Sequence, residues 1–428
     1  MVAMKDSSIE WIGIIPEEWS VGRISYRYNL ALGKMIEPDA GDSERAQYPY
    51  LCAANIKWNG VDTSINKKMY FSASERLQYD VKRGDLLITE GGSVGTSCIY
   101  DEEFGPVCYM QNSVIRARSR NSNQNVFLRY WLEFVCNSGY LDALCNKATI
   151  SHYTKDKVSK TPLVLIGDSE TKAIANKLDE DCAEIEALAS TIEKQITILE
   201  RYRASVIHEA VTRGINPNAP FKASHFNWIS EIPENWEIKR FKYVGAVAAN
   251  LVDPSDYPNL IEIDPENIES GTGKLMNVAT VAEVGAISAK QLYRKGQIIY
   301  SKIRPALNKV VIAPEDGLCS ADMYPIETSS DVRWLRYAMS SDLFVQQTSL
   351  ISNRVAMPKI NVDQMGTIAI PVPPSDEQRK IADYLDARTS AIDAVLDTKR
   401  KQLDVLKRRR QSLIYEYVTG KRRATEEA

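Results

Sequence analysis

Two glycine-containing segments carry residue types that bind phosphate groups. Gly271-Thr-Gly-Lys-Leu275 has the last part of a nucleotide phosphate loop. It lacks the first glycine at the required spacing, the Ser or Thr after Lys274 and the apolar strand before it. Gly91-Gly-Ser-Val-Gly95 is followed by no crossover helix, so it is not a dinucleotide-binding turn. Because glycine lets backbone approach a ligand closely, we interpret this second segment as a flexible turn beside a ligand.

The cysteines and histidines form no recognisable site. The seven cysteines include no C-x-x-C pair, and none of the three histidines (His152, His208 and His225) stands beside another plausible ligand. A disulfide framework and a thiolate zinc site are therefore not expected. Paired carboxylates with nuclease spacing and the Asn-Pro-Pro-aromatic motif of amino-methyltransferases are also missing from the sequence. We therefore predict a non-catalytic chain that holds no metal or cofactor of its own.

The chain repeats its own sequence. The segment W-I-G-I-I-P-E-E-W at 11–19 recurs as W-I-S-E-I-P-E-N-W at 228–236. Solenoid repeats are about 20 to 50 residues long, so a period of this size indicates duplication of a whole domain. A second match closes each copy, where the residues Glu170, Ile174, Ala175, Leu178 and Asp179 return as Glu377, Ile381, Ala382, Leu385 and Asp386.

Composition indicates a soluble protein with an uneven charge distribution. The 428 residues are 44% hydrophobic and 25% charged, and no apolar run is long enough to span a membrane. A cytoplasmic location is the expectation, since no signal pattern opens the chain. The net charge of -3 argues mildly against a solitary nucleic-acid binder. Residues 179–186 are nevertheless strongly acidic, and residues 399–410 are strongly basic.

Each copy ends in a long predicted helix, over about 170–213 and 377–419, without Pro or Gly. Some 40 residues at about 1.5 Å each make a rod of about 60 Å. Gln195 and Gln402 lie at or beside the apolar seam, where they are either buried and fix the register or are solvated at its edge. The apolar spacing predicts a coiled-coil seam formed by Ile174, Leu178, Ile185, Leu188, Ile192 and Leu199 in the first helix and by Ile381, Leu385, Ile392, Leu396, Leu403 and Leu406 in the second.

Charge predicts the direction in which these helices pair. Parallel pairing would lay the acidic residues 179–186 beside Asp386 and Asp393. Antiparallel pairing lays them beside Lys407–Arg410. It also brings Asp393 and Asp397 nearer the basic residues Lys194, Arg201 and Arg203. Like charges over one face destabilise by about as much as favourable pairs stabilise, so we predict an antiparallel coiled coil with a pseudo-two-fold axis. The alternative is that each helix packs on its own domain or on another protein.

Three further segments resemble a known family. They are G-Q-I-I-Y-S-K-I-R-P at 296–305, Gly317-Leu-Cys-Ser320, and P-x-P-P-x-x-E-Q-R-x-I-A-x-Y-L-D at 371–386. Together with the repeated I-P-x-x-W segments, they are similar to the specificity (S) subunit of type I restriction-modification enzymes. The resemblance covers essentially the whole chain.

The resemblance implies an α+β fold with two tandem mixed α/β target-recognition domains, separated by two long helices that form the antiparallel coiled coil. We expect target-recognition domain 1 at 1–169, the central helix at 170–216, target-recognition domain 2 at 217–374, the C-terminal helix at 375–423 and a tail at 424–428. It also implies that each domain recognises one part of a split site in double-stranded DNA. The implied partners are two methyltransferase (M) subunits, which bind S-adenosylmethionine, and two restriction (R) subunits, which use ATP and Mg²⁺.

Candidate base-contacting residues lie on loops that the two copies do not share, because repeated residues cannot recognise two different sequences. A protein-binding scaffold without DNA contact remains the alternative function. The candidates in the first domain are Asn55, Lys57, Asn59, Lys67, Lys68, Ser93, Thr96, His152 and Lys155, and those in the second are Ser301, Lys302, Arg304, Asn308, Lys309, Asn353, Arg354 and Lys359.

Overall fold

The computed structural model describes residues 3–37, 45–105, 107–120, 124–145, 152–352 and 358–424. The chain forms two compact units. Unit 1 comprises Met1–Ile192 and Gln402–Ala428, and unit 2 comprises Glu193–Lys401. Each long helix contributes one part to each unit, and the predicted sequential boundaries stay a prediction.

Unit 1 contains two four-stranded sheets. One has the strand order β11-β10-β13-β4 and is antiparallel throughout, and the other has the order β8-β5-β12-β9 with β5 and β12 parallel. The short helices are α1 (Ile24–Arg27), α2 (Ala73–Gln78), α3 (Asn125–Asn137), α4 (Tyr140–Leu144) and α5 (Lys155–Lys160). The strands are β1 (Met4–Asp6), β2 (Ile14–Pro16), β3 (Ser20–Arg23), β4 (Tyr28–Leu32), β5 (Ala46–Leu51), β6 (Ile56–Lys57), β7 (Gly60–Val61), β8 (Lys67–Phe71), β9 (Asp80–Val81), β10 (Leu86–Thr89), β11 (Ser97–Ile99), β12 (Cys108–Met110), β13 (Val114–Ser119) and β14 (Pro162–Leu165).

Unit 2 repeats this plan. The antiparallel sheet β18-β26-β23-β24 corresponds to the first sheet of unit 1, and β19-β22-β25-β20-β21 corresponds to the second with one added edge strand. Its short helices are α7 (Val281–Val284), α8 (Val332–Ser340), α9 (Asp342–Ser352) and α10 (Val362–Gly366). Its strands are β15 (Phe221–Phe226), β16 (Ile229–Pro233), β17 (Glu237–Arg240), β18 (Gly245–Val247), β19 (Leu251–Val252), β20 (Ile261–Ile263), β21 (Ala279–Thr280), β22 (Lys290–Tyr293), β23 (Ile298–Ser301), β24 (Val310–Ile312), β25 (Gly317–Ser320), β26 (Met323–Thr328) and β27 (Ala369–Val372).

One inner strand of each antiparallel sheet, β10 in unit 1 and β23 in unit 2, is buried on both faces. Successive side chains of a strand point to opposite sides. In β10, Leu86 and Ile88 therefore join the main core of unit 1, while Leu87 joins a second core that lies toward the other sheet. In unit 2, Ile298 and Ile299 of β23 divide between two cores in the same way. This explains why both segments are continuous apolar runs rather than alternating ones.

The long helices are α6 (Asp168–Arg213) and α11 (Ser375–Val418), which have 46 and 44 residues. Acidic residues occupy the first turn of each helix, where they interact favourably with the helix dipole. The helices end within one residue of the predicted 213 and 419, because Gly214 (φ +80°) and Gly420 (φ +71°) adopt the left-handed conformation that terminates helices.

The buried face of the two helices follows the predicted seam with one correction. Leu188 is 56% exposed and lies outside that face. Ala189 takes the inward position between Ile185 and Ile192, because the steps there are four and three residues. Gln195 is exposed, as is Gln402, so the open question about these two residues is resolved in favour of solvated edge positions.

The helices pair antiparallel within each unit, as the charges predict. In unit 1, Arg410 Nε donates to Glu186 Oε1 at 3.1 Å. In unit 2, Arg203 Nε donates to Asp393 Oδ1 at 2.8 Å. Opposite charges therefore meet where a parallel arrangement would bring acidic residues together.

The repeated I-P-x-x-W segments anchor each unit to the end of a long helix. Trp19 is buried, and Gly420 lies so close that a Cβ there would be 2.8 Å from the indole ring. In unit 2, Trp236 is buried beside Gly214 in the same way, with a distance of 3.3 Å. The repeated spacing within each segment is thus structural: the end of α11 completes unit 1, and the end of α6 completes unit 2.

No helix in the described part of the chain combines the length and apolar character needed to cross a membrane. Within the same residues, no group of three or more His, Cys, Asp or Glu side chains is placed to hold a metal ion.

Candidate nucleic-acid interface

In unit 1, the glycine-containing segment after β10 forms a loop beside α5. We call residues 90–95 loop A. The amide of Tyr153 donates to the carbonyl of Glu90 at 2.7 Å, which ties the segment before α5 to the start of the loop. A Cβ on Gly91 would be 3.3 Å from the His152 ring, so glycine allows this close approach. Loop A and the start of α5 therefore present Ser93, His152 and Lys155 as exposed side chains of one region.

In unit 2, the same frame holds a different loop. We call residues 302–308 loop B. The amide of Ile360 donates to the carbonyl of Lys302 at 3.0 Å, and the amide of Arg304 donates to the carbonyl of Pro358 at 2.8 Å. Lys302 thus occupies the position that Glu90 occupies in unit 1. The structure brings three predicted residues, Lys302, Arg304 and Lys359, together here.

An acidic side chain organises the cations of loop B. Asp322 Oδ1 lies 3.1 Å from the Lys359 Nζ and 3.7 Å from the Lys302 Nζ. Lys302 also donates to the carbonyl of Ala321 at 2.5 Å, and its ammonium group lies 5.1 Å from the centre of the Tyr324 ring. Arg304, by contrast, is exposed. Asp322 was not a predicted site residue, although its place just before β26 is the counterpart of Ser113 before β13.

Asn55 has a structural position rather than an exposed one. It is fully buried, and its side-chain amide donates to the carbonyls of Asp62 and Ile65 at 2.8 Å. Asn267 has the corresponding position in unit 2 and donates to the carbonyl of Met276 at 3.2 Å. The dipeptide Asn-Ile recurs at both places in the sequence. That repetition was the available signal that Asn55 belongs to the shared frame, and its burial argues against base contact.

Four other predicted residues lie at or beside the ends of the loops. Thr96 and Ser301 are buried at the loop ends, and Ser301 Oγ donates to the carbonyl of Ile303 at 3.1 Å. Asn308 Nδ2 donates to the carbonyl of Ser340 at 2.7 Å, and Lys309 Nζ donates to that of Pro265 at 2.5 Å. The side chains of Ser301, Asn308 and Lys309 stabilise loop B, because their polar groups donate to backbone carbonyls.

The remaining predicted residues lie elsewhere. Lys57 and Asn59 are exposed on the β6–β7 hairpin, and Lys67 and Lys68 are exposed on the edge strand β8. The structure does not place these four residues in loop A. Asn353 and Arg354 lie outside the described residues.

Comparison with known protein families matches each of the two copies separately. The family model for the "Type I restriction modification DNA specificity domain" matches residues 16–197 and again 233–405. The chain belongs to this family.

Named relatives cover nearly the whole chain. It is 32% identical over 408 residues to the type I restriction enzyme EcoDI specificity subunit of Escherichia coli, a match that covers 92% of this chain and 85% of the relative. It is 23% identical to the MjaVIII specificity subunit of Methanocaldococcus jannaschii over 95% of this chain and 93% of the relative. A chain solved in work on "complex assembly and conformational transition of the type I R-M system" shares the fold, with a TM-score of 0.65 at 15% identity over 94% of this chain and 98% of that chain.

This specificity-domain chain has a further repeated surface on its long helices, which the sequence reasoning missed. Four exposed apolar residues lie at two pairs of equivalent positions: Leu188 (56% exposed) with Val395 (44%), and Ile198 (64%) with Val405 (57%). Thr191 and Thr398 are likewise equivalent and exposed. Repetition of exposed residues, which folding does not require, was the signal available in the sequence.

The antiparallel register gathers these residues into one patch in each unit. In unit 1, Thr191 lies five residues after Glu186, and Val405 lies five residues before Arg410, the partner of Glu186. The two side chains are therefore at the same level. We define patch 1 as Leu188, Thr191, Gln402 and Val405. By the same register in unit 2, patch 2 consists of Val395, Thr398, Gln195 and Ile198.

A repeated hydrogen bond joins each sheet domain to a long helix. Tyr130 Oη donates to Asp179 Oδ1 at 2.8 Å, and Tyr337 Oη donates to Asp386 Oδ1 at 2.8 Å. Burial raises the pKa of both tyrosines above the ordinary range, so both hydroxyls keep the proton that they donate. The repeated frame of this chain thus includes this polar contact as well as its apolar cores.

Proposed function

We propose that the chain is the non-catalytic subunit that gives a type I restriction-modification complex its DNA specificity. Unit 1 contacts one part of a split site in double-stranded DNA, and unit 2 contacts the other part. The observation that carries this proposal is the contrast between frame and loops. Equivalent backbone hydrogen bonds hold Glu90 in loop A and Lys302 in loop B. The same position of the repeated frame therefore carries a negative side chain in unit 1 and a positive side chain in unit 2.

The chemistry of the loops suits base contacts in the major groove. Arg and Lys donate to guanine, carboxylates accept from the cytosine amino group, and Ser contacts either kind of base edge. A frame that presents Glu90 in one unit and Arg304 in the other can therefore recognise two different sequences. The net charge of -3 fits a chain whose partner subunits supply much of the phosphate contact.

Patches 1 and 2 support docking of two methyltransferase subunits. Exposed apolar residues grouped together mark protein-interaction sites. A surface that occurs twice in one chain suits two copies of one partner, whereas the differing loops do not. The long helices therefore have a second task, in addition to joining the two recognition regions.

The remaining components belong to the partners in this proposal. S-adenosylmethionine binds the methyltransferase subunits, which methylate adenine. ATP and Mg²⁺ are used by two restriction subunits. This chain contributes no cofactor site, and its role is to direct the chemistry of its partners to one sequence.

The test uses cells that contain the methyltransferase subunit of the same system, with and without this chain. Sequencing of methylated bases should show a two-part motif only when the chain is present. An unchanged methylome, with the three-subunit methyltransferase complex confirmed by native mass spectrometry, would contradict the proposal. That result would favour a protein-binding scaffold without DNA contact.

A further inference from the structure

Arg304 and Gly92 occupy equivalent positions in the two units. Arg304 follows Lys302 by two residues, and the carbonyl of Lys302 accepts from the amide of Ile360. Gly92 follows Glu90 by two residues, and the carbonyl of Glu90 accepts from the amide of Tyr153 in the same way. Both have a left-handed backbone, with φ +45° at Arg304 and φ +76° at Gly92. A Cβ on Gly92 would meet no atom within 4 Å, so this position projects away from the fold.

Arginine is an unfavourable choice for this backbone. The left-handed region brings Cβ close to the following carbonyl oxygen, and only glycine adopts it without cost. Unit 1 has glycine here, and unit 2 has a long charged side chain. A strained conformation that persists on a loop suggests that the side chain has a use other than stability.

The Arg304 guanidinium is also available to bind a ligand. Its neighbours Lys302 and Lys359 are engaged by Asp322. Within the residues that the structure describes, no hydrogen bond or ion pair involves the Arg304 side chain, which is exposed. Its backbone is nevertheless fixed by the bond to Pro358, so the side chain starts from a defined point.

We propose that Arg304 is the specificity-determining residue of loop B and that it recognises a guanine in the half-site of unit 2. This inference rests on the proposed function, because it assumes that unit 2 contacts base edges. The planar guanidinium donates two parallel bonds to guanine O6 and N7, a pattern that no other base pair offers in the major groove.

The experiment uses the complete methyltransferase complex and first determines the motif with the unaltered chain. Arg304→Gly should make one position of one half-site degenerate, with a loss of about 5- to 150-fold in discrimination at that position. Arg304→Gln should shift that position toward adenine, because a carboxamide pairs with adenine N6 and N7. Lys295→Ala, which removes an exposed charge from a turn of the same unit, is the control and should leave the motif intact.

A stability measurement accompanies these variants. An exposed residue of ordinary backbone loses stability on replacement by glycine. Relief of the left-handed strain should instead leave the Tm of Arg304→Gly unchanged or raise it by up to about 4 °C.

The possible outcomes separate the inference from the proposed function. If the unaltered complex has no two-part motif, the proposed function fails. If it has one and Arg304→Gly keeps every position, the inference alone is overturned. Equal weakening on all sequences would also overturn it, because that result identifies a phosphate contact.

Discussion

Arg203 donates to Asp393 at 2.8 Å in unit 2, and the equivalent residues Arg410 and Glu186 make the same contact in unit 1. Both arginines stand at positions of the helix seam that apolar residues otherwise fill, and Arg203 is buried. A polar residue at such a position specifies the register of a coiled coil, at some cost in stability. The paired contacts therefore explain how two similar helices select one antiparallel alignment.

Removal of the Asp393 carboxylate should destabilise unit 2, because the buried Arg203 guanidinium would lose its anionic partner. We expect Asp393→Ala to lower the free energy of unfolding of unit 2 by about 1–3 kcal/mol, because a charged hydrogen bond is lost. Among the residues that the structure describes, the Arg203 side chain then keeps only its hydrogen bond to the carbonyl of Gly271. Denaturant titration followed by helical circular dichroism measures this change. The variant Arg203→Met combined with Asp393→Ala should lose less than the sum of the single changes, and strict additivity would contradict the pairing.

Replacement by alanine of the two glycines that end the long helices should lower stability by different amounts. Gly214→Ala should cost about 1–2 kcal/mol, mainly from its left-handed backbone, because the nearest atoms to its Cβ would be Glu377 Oε1 at 3.2 Å and the Trp236 ring at 3.3 Å. Gly420→Ala should cost about 2–5 kcal/mol, because its Cβ would also lie 2.5 Å from the Pro16 ring. Thermal melts of the two variants make a matched comparison, and an equal loss in both would refute the tight packing at Gly420.

Patches 1 and 2 should each hold one methyltransferase subunit. Leu188→Asp should remove one of the two subunits, Val395→Asp should remove one, and the double variant should remove both. Native mass spectrometry of the purified complex counts the subunits directly. The Tm of the isolated chain should change little, because both side chains are exposed.

Ser190 provides the control for this prediction. It is exposed and lies about 200° round the helix from Leu188. Ser190→Asp adds the same charge on the other side of α6 and should leave two subunits bound. Loss of a subunit from this variant would show that charge alone, and not patch 1, governs docking.

Cysteine reactivity checks the two cores independently. Burial raises the pKa of Cys182 to about 11 and that of Cys319 to about 12. Because the thiolate is the reactive form, both cysteines should react slowly with maleimide at neutral pH. The half-buried Cys52 should be labelled first in the folded protein. Rapid labelling of Cys182 or Cys319, located by mass spectrometry, would contradict the described packing.

The sequence predicted the duplicated α+β architecture and the antiparallel helices, because both follow from patterns that extend over many residues. Heptad spacing and charge blocks persist for more than ten turns in the two helices together. The family assignment is confirmed by the match of both copies.

Individual positions were harder to predict, for identifiable reasons. Leu188 and Ala189 compete for one inward position, and hydrophobicity favours the residue that the helix geometry turns outward. Asn55 was chosen for its polarity, although its amide completes a turn that unit 2 repeats with Asn267. The grouping of Lys302, Arg304 and Lys359 depends on the bond between residues 302 and 360, which are distant in sequence. The base-contacting residues remain predictions.

The central claim, that each unit specifies one half of a split DNA site, is tested most directly by sequencing of methylated bases after a change confined to one loop. Loop A is replaced by Gly-Ser residues of equal length, and the complex is compared with the unaltered one. We predict that one half of the motif becomes degenerate, while the other half and the spacer length stay the same. Alteration of both halves together, or of neither, would contradict the account.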